Sequence, residues 1–301
     1  MGFITVKDMV KSARKGKMIT HKDDMKKENG ESAPNVDLTE AREYLTELAP
    51  KAGEILKRYF NTGGYSTRQK AGVDFTTQAD EEVDAFLREH IAEKFPRTQF
   101  LTEETAPDDY SSLRSANNLW VIDPLDGTIN FSRKHPNFAI SVALVNKGAS
   151  QLGVVHVPLT GDTYWAQADK EHAFVNDTPM QVSATEDMRE VVLACDWAWG
   201  LEKRLNVVRW LGNISTHVRQ IKSMGSAVSD LTSLANGRID GYIHSGLKPW
   251  DVAASALLIE KAGGKITTPT GDKWDVFNAD ILASNGVLHE QILKLVNQDQ
   301  K

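Results

Sequence analysis

In the segment Trp120-Val121-Ile122-Asp123-Pro124-Leu125-Asp126-Gly127-Thr128-Ile129-Asn130-Phe131, an apolar run ends on one aspartate and a second follows three residues later. The run reads as a strand that delivers Asp123 at its carboxyl end. Pro124 has no N–H to give to a ladder, so it turns the chain and lets Asp126 face the same point as Asp123. Gly127 permits a tight turn, and the amides that follow it, with the Thr128 hydroxyl, can point at an anion. Paired carboxylates beside an anion cradle suit a divalent metal that carries a phosphate: hard oxygen ligands for Mg2+, amides for the phosphoryl oxygens. The same residue types also describe an ordinary Asx-capped turn.

Other acids stand where they could join this pair. Thr102-Glu103-Glu104-Thr105 follows an apolar run, Asp80 opens one helical pattern, and Trp250-Asp251 opens another after Pro249. An acid in a helical first turn complements the helix dipole without any catalytic duty, so only convergence with Asp123 makes these residues a site. His244, seven residues before Asp251, either touches a ligand or ends a strand with its ring bonded to backbone. His156, inside Val154-Val155-His156-Val157, reads as a core histidine. Trp197, Trp199 and Trp210 are read as packing rather than as pocket walls. Cys195, the single cysteine, lies in an apolar run from Val191 and is expected to be an inert core thiol.

The chain that must position these groups has 301 residues, 41% of them hydrophobic and 25% charged, which permits a sizeable core and excludes fibrous and wholly disordered classes. A net charge of −6 gives duplex nucleic acid no help, so nucleic acid is an unfavoured partner. No run approaches the roughly 20 apolar residues of a membrane span, and the first 30 residues hold no apolar signal core, so no membrane is implied and the cytoplasm is the expected compartment. Residues 1–36 stand apart: the first 30 carry eight Lys or Arg against four acids. A solvated, disordered basic extension is expected there, with a tether to an acidic partner or RNA as its rival reading.

From Asp37 the pattern becomes periodic. Asp37 and Glu40 have capping-box spacing, and Leu38, Ala41, Tyr44, Leu45, Leu48, Ala52, Ile55, Leu56 and Tyr59 recur at helical intervals, with Pro50 expected to kink or divide the helix. A second helix is predicted after Thr77. Strands are predicted over 98–102, 119–123, 138–145 and 153–157, the last two as a hairpin turning at Gly148. The second half predicts strands over 191–195, 217–221, 239–244 and 281–284, alternating with helices over 201–211, 226–235, 252–262 and 287–297. Such alternation indicates a layered α/β sheet. Residues 37–165 and 166–301 are the two halves of one domain.

The segment 120–133 and the segment Trp250-Asp251-Val252-Ala253-Ala254-Ser255-Ala256-Leu257-Leu258-Ile259-Glu260-Lys261-Ala262-Gly263-Gly264 resemble the two signature motifs of the inositol monophosphatase family. Lys70-Ala71-Gly72-Val73-Asp74-Phe75-Thr76-Thr77-Gln78-Ala79-Asp80, Phe100-Leu101-Thr102-Glu103-Glu104 and Lys222-Ser223-Met224-Gly225-Ser226-Ala227 fit the same pattern, and the resemblance spans 36–296. It implies a five-layer α/β/α/β/α fold and Mg2+-dependent, often lithium-sensitive, hydrolysis of a small phosphorylated metabolite. By position, Glu103, Asp123 and the Leu125 carbonyl resemble ligands of a first metal, and Asp123, Asp126 and Asp251 those of a second. Asp80 falls near a weaker third site. Thr128 with Glu103 would orient the attacking water, and Asp126, Gly127, Thr128, the Ala227 amide, His244 and Asp251 fall where the family meets substrate. Two departures stand out: the animal inositol enzymes carry glutamate where this chain has His244, and a glycine usually stands where it has Thr102. Inositol 1-phosphate or a related sugar phosphate is the expected substrate. Fructose 1,6-bisphosphate, histidinol phosphate and a 3′(2′),5′-bisphosphate nucleotide are the alternatives, with a metal-binding regulatory protein as the non-enzyme rival. The resemblance also implies a homodimer.

Overall fold

The computed structural model describes residues 35–69 and 75–298, so the basic extension, apart from its last two residues, and the Lys70–Asp74 part of one motif lie outside the described residues. Helix α1 (Leu38–Thr62) is capped by Asp37, whose carboxylate accepts from the Thr39 and Glu40 amides, and it ends at Gly63 in a left-handed conformation. It runs undivided through Pro50, so the expected break does not occur. Strand β1 (Thr67–Gln69) pairs with β2 (Phe75–Thr77), and Thr77 caps helix α2 (Gln78–Lys94).

The chain then builds a seven-stranded sheet: β3 (Gln99–Thr102), β4 (Leu119–Asp126), β5 (Ala139–Asn146), β6 (Ala149–Val157), β7 (Asp162–Gln167), β8 (Ala173–Val175) and β9 (Thr178–Met180), ordered as in the sequence. A five-residue helix, α3 (Thr128–Ser132), follows β4. The predicted hairpin is present, with Asn146 opposite Ala149 and positive φ at Lys147 and Gly148 between them. Side chains of β4 alternate cleanly: Trp120 and Ile122 pack with α1 and α2, while Leu119 and Val121 join the core on the other face. Burial on both faces is why this strand reads as an unbroken apolar run.

The remaining elements are β10 (Val192–Ala194), α4 (Leu201–Ile214), β11 (Gln220–Lys222), α5 (Ala227–Ala235), β12 (Gly241–Ser245), α6 (Pro249–Lys261), β13 (Lys265–Thr267), β14 (Asp280–Ser284) and α7 (His289–Val296). A second sheet runs β11-β10-β12-β14-β13, with β10 and β12 parallel. Helices α5 and α6 lie between the sheets, and α4 and α7 cover the outer face of the second with Leu193, Ile243 and Leu282. The five layers are therefore α/β/α/β/α. Helix α6 is buried nearly all round, which its apolar composition demands. It sits so close to β6 that a Cβ on Gly153 would stand 2.6 Å from the Ala254 carbonyl oxygen, so only glycine fits. Cys195 lies in the outer core, where burial pushes its thiol up to about 12. No helix among the described residues is long and apolar enough to cross a membrane.

Candidate active site

Strand β4 does not stop at Asp123 but runs on to Asp126, with its register to β5 broken between them. The irregularity carries Pro124 and swings both aspartates to one side. Asp123 Oδ1 accepts from the Leu125 amide at 3.0 Å, closing an Asx turn. Gly127 then takes φ 90°, a conformation that disfavours any side chain, and a Cβ there would stand 2.9 Å from the Asn137 carbonyl oxygen. The first helical bond of α3 runs from the Phe131 amide to the Gly127 carbonyl, so the amides of residues 128–130 have no helical acceptor.

The other carboxylates arrive from helix starts. Asp251, in the first turn of α6, accepts from the Lys248 amide at 2.7 Å. Its neighbour in space, Asp126, is held from the start of α5: the Ser226 hydroxyl and the Val228 amide, the latter at 3.0 Å, both donate to Oδ2. Asp123, Asp126 and Asp251 each offer an oxygen within 4.8 Å of the other two. Burial first, then mutual repulsion, holds the carboxyls of Asp123 and Asp251 well above the ordinary range. Burial likewise raises Asp126 to about 7 against the pull of its Ser226 and Val228 hydrogen bonds.

Asp80 plays a different part. It closes the capping box of α2 through the Thr77 amide and hydroxyl, and its other oxygen accepts from the Thr128 hydroxyl at 3.3 Å. That hydroxyl also lies 3.1 Å from the Leu125 carbonyl oxygen. Burial raises Asp80 to about 7, with the charges of Glu104 and Glu103 acting in the same direction.

These residues open on a cavity of about 860 Å³ lined by Glu103, Asp123, Leu125, Asp126, Gly127, Thr128, Ala227, His244 and Asp251. All of the sequence-designated site residues except Asp80 therefore reach one cavity, and Asp80 stands behind Thr128. Glu103 and Leu125 line the wall without belonging to the three-acid group. Trp210 packs as expected, but Trp197 and Trp199 do not: they are 54% and 53% exposed and form part of the cavity wall. His156 is buried against Thr163, at 2.9 Å. Sequence reading passed over Ser226 and Val228, which hold Asp126, although the helix start at Ser226 was visible. It also passed over Asp196 and Asp230, which no motif marks.

The model of the inositol monophosphatase family matches residues 37–301. The chain belongs to that family. It is therefore a phosphatase hydrolase, and the family it belongs to is magnesium-dependent. It is 29% identical over 256 residues to the fructose-1,6-bisphosphatase/inositol-1-monophosphatase of Thermotoga maritima, a match covering 85% of this chain and 95% of that one. The putative Nus factor SuhB of Neisseria meningitidis serogroup B is 32% identical, with 83% and 95% covered. Among solved structures, the inositol monophosphatase of Anabaena superposes with a TM-score of 0.76 at 30% identity, covering 88% of this chain and 98% of that one.

Proposed function

We propose that this phosphatase hydrolyses the phosphate monoester of a small polyol or sugar, inositol 1-phosphate foremost, with Mg2+ held by Asp123, Asp126 and Asp251 and by the cavity-facing Glu103 and Leu125 carbonyl. The observation that carries this reading is the buried all-oxygen triad. Two oxygens on one Mg2+ lie at most about 4.2 Å apart, close to the spacing these carboxylates already have. Hard oxygen donors without nitrogen or sulfur suit Mg2+ over softer metals. The extra wall ligands leave room for roughly two to three ions, as the resemblance implies.

Bound there, Mg2+ supplies Lewis acidity at the phosphoryl oxygens and charge neutralisation for an in-line displacement by water. The protein's own groups do the rest. Thr128 donates its hydroxyl hydrogen bond to Asp80 or to the Leu125 carbonyl, which leaves its oxygen lone pairs free to accept a hydrogen bond from the attacking water and fix its direction. Asp80, near neutrality in its proton affinity, is placed one hydroxyl away to receive the released proton. The amides of residues 128–130 face the anion, and Asp126, Ala227 and Asp251 border the leaving group. No side-chain nucleophile is required, and Cys195 is walled off in another core.

Asp123→Asn tests the reading. With Mg2+ present it should lower kcat by about 10³-fold, the several kcal/mol that metal-ion catalysis supplies, while circular dichroism stays native; full Mg2+-dependent activity in this variant refutes it. A kcat/KM panel of inositol 1-phosphate, fructose 1,6-bisphosphate, histidinol phosphate and adenosine 3′,5′-bisphosphate ranks the substrates. The family resemblance also supports a homodimer, which a monomeric mass in solution would rule out.

A further inference from the structure

Of the eight large apolar side chains left exposed among the described residues, four line the cavity that holds the acidic triad: Ile129, Trp197, Trp199 and Val208. Exposed apolar surface gathered in one concave place marks a binding site, whereas single exposed residues scattered over a surface do not. Trp197 and Trp199 are the largest of the four, and each is more than half exposed.

The two indoles stand on a fixed mount. On one side, Asp196 Oδ1 accepts from the Ser223 hydroxyl and the Gly225 amide, each at 2.9 Å, which ties the loop after β10 to the lead into α5. On the other, Arg204 Nε, from α4, donates to the Ala198 carbonyl at 2.5 Å. Ala198 is buried, and a Cβ on Gly246 would stand 3.6 Å from its Cβ. Residues 196 and 198 are thus pinned while 197 and 199 keep their faces open. Rings held in this way bind without a further cost of ordering the backbone beneath them. Gly246 precedes α6, whose first turn carries Asp251, so the mount adjoins the segment that delivers one member of the triad.

The cavity exceeds what a single ring requires. Its volume of about 860 Å³ lies toward the upper end of the roughly 300–1,000 Å³ spanned by pockets for drug-sized ligands. On the function proposed above, phosphate sits at the triad, and one six-membered polyol ring beside it leaves space along Trp197, Trp199 and Val208. That stretch is poorly suited to more hydroxyls: an indole offers one donor and no acceptor, and Val208 offers neither. A flat aromatic ring has no hydroxyl to satisfy and gains from an offset or edge-on contact with indole.

Resting on that function, we infer that Trp197 and Trp199 form an aromatic subsite of the active cavity: they take a flat ring carried by the alcohol, so that nucleoside phosphates are substrates alongside single-ring sugar phosphates.

The measurement is kcat/KM for adenosine 3′-phosphate divided by kcat/KM for inositol 1-phosphate, two esters of secondary alcohols of which only the first carries a flat ring. In the double variant Trp197→Ala/Trp199→Ala the ratio should fall by about 5- to 100-fold, the loss expected when a base gives up its aromatic partner, through a raised KM for the nucleotide. Trp197→Phe/Trp199→Phe keeps both ring faces and should recover most of the ratio. A ratio within twofold of wild type in the alanine variant overturns the inference; if that variant also turns from dimer to monomer, the indoles belong to a contact between copies instead. Wild-type protein that cleaves inositol 1-phosphate but not the nucleotide overturns it as well. Failure of the function proposed above looks different: wild-type protein with Mg2+ then hydrolyses neither compound.

Discussion

Asp230→Asn gives a direct measure of what an acid buried in α5 costs the fold. Asp230 sits in α5 with 0% exposure, and in its neutral form it shares a hydrogen bond with the carboxyl of Asp196. Burial, reinforced by the charge of Asp196, raises it from 3.8 to about 9. For an acid whose folded value lies above its unfolded one, the penalty on folding is absent below the unfolded value. It grows as pH rises between the two and is constant above the folded value. At pH 7 the unfolded chain is thus favoured by roughly 4 kcal/mol through this one group. Asn cannot ionise in either state and removes that term, although its own buried amide gives back about 1–3 kcal/mol. The metal-free variant should therefore be more stable than wild type at pH 7 by about 1–3 kcal/mol, or roughly 2–5 °C in Tm. The gap should narrow by about 4 kcal/mol on going to pH 4, so that wild type is the equal or better protein there. Calorimetric melts in EDTA across pH 4–8 read this slope. A stability gap independent of pH would show that Asp230 is not a buried neutral acid.

Metal and protons should compete at the triad, because burial and mutual repulsion hold protons on Asp123, Asp126 and Asp251. Mg2+ binding is expected to release protons near pH 7 and to tighten as pH rises, which calorimetry in buffers of different ionisation enthalpy detects; binding without proton release would contradict it. Gly127→Ala forces a side chain into φ 90° and against the Asn137 carbonyl. It should destabilise by about 1–2 kcal/mol and depress kcat through the displaced Thr128, both absent if the turn tolerates alanine. Cys195, with its thiol pushed up to about 12, should resist iodoacetamide at pH 8 in the folded protein and react on unfolding. Rapid labelling of native protein would disprove its burial.

Much of the site was legible because it is local. The Asp123–Thr128 turn is written in adjacent residues, and Asp80 and Asp251 announce themselves as first-turn acids. Element types were legible for the same reason: helix α1 shows its cap at Asp37, and the apolar runs of β4 and β5 require cover on both faces. Less visible were strands of three residues, such as β8 and β13, which carry too few side chains to show a period. The persistence of α1 through Pro50 is a further case, since packing of Leu45, Leu48, Ala52 and Leu56 on the sheet outweighs the local preference. What could not be read was convergence between strands far apart in sequence. Asp196 and His244 come to line one cavity because β10 and β12 are parallel neighbours, and Trp197 and Trp199 become pocket walls because the loop after β10 borders that cavity.

The layering has a consequence for how such a protein can change its diet. On the function proposed above, the groups that would bind and cleave phosphate are rooted in the seven-stranded sheet and the helices packed on it, whereas His244 stands on a strand end of the other sheet and Trp197 and Trp199 on the loop after β10. Substitutions in that second group would then trade one alcohol for another while leaving the cleavage apparatus intact. One inherited reaction can thus be carried to new metabolites by rewriting a few residues on the opposite bank.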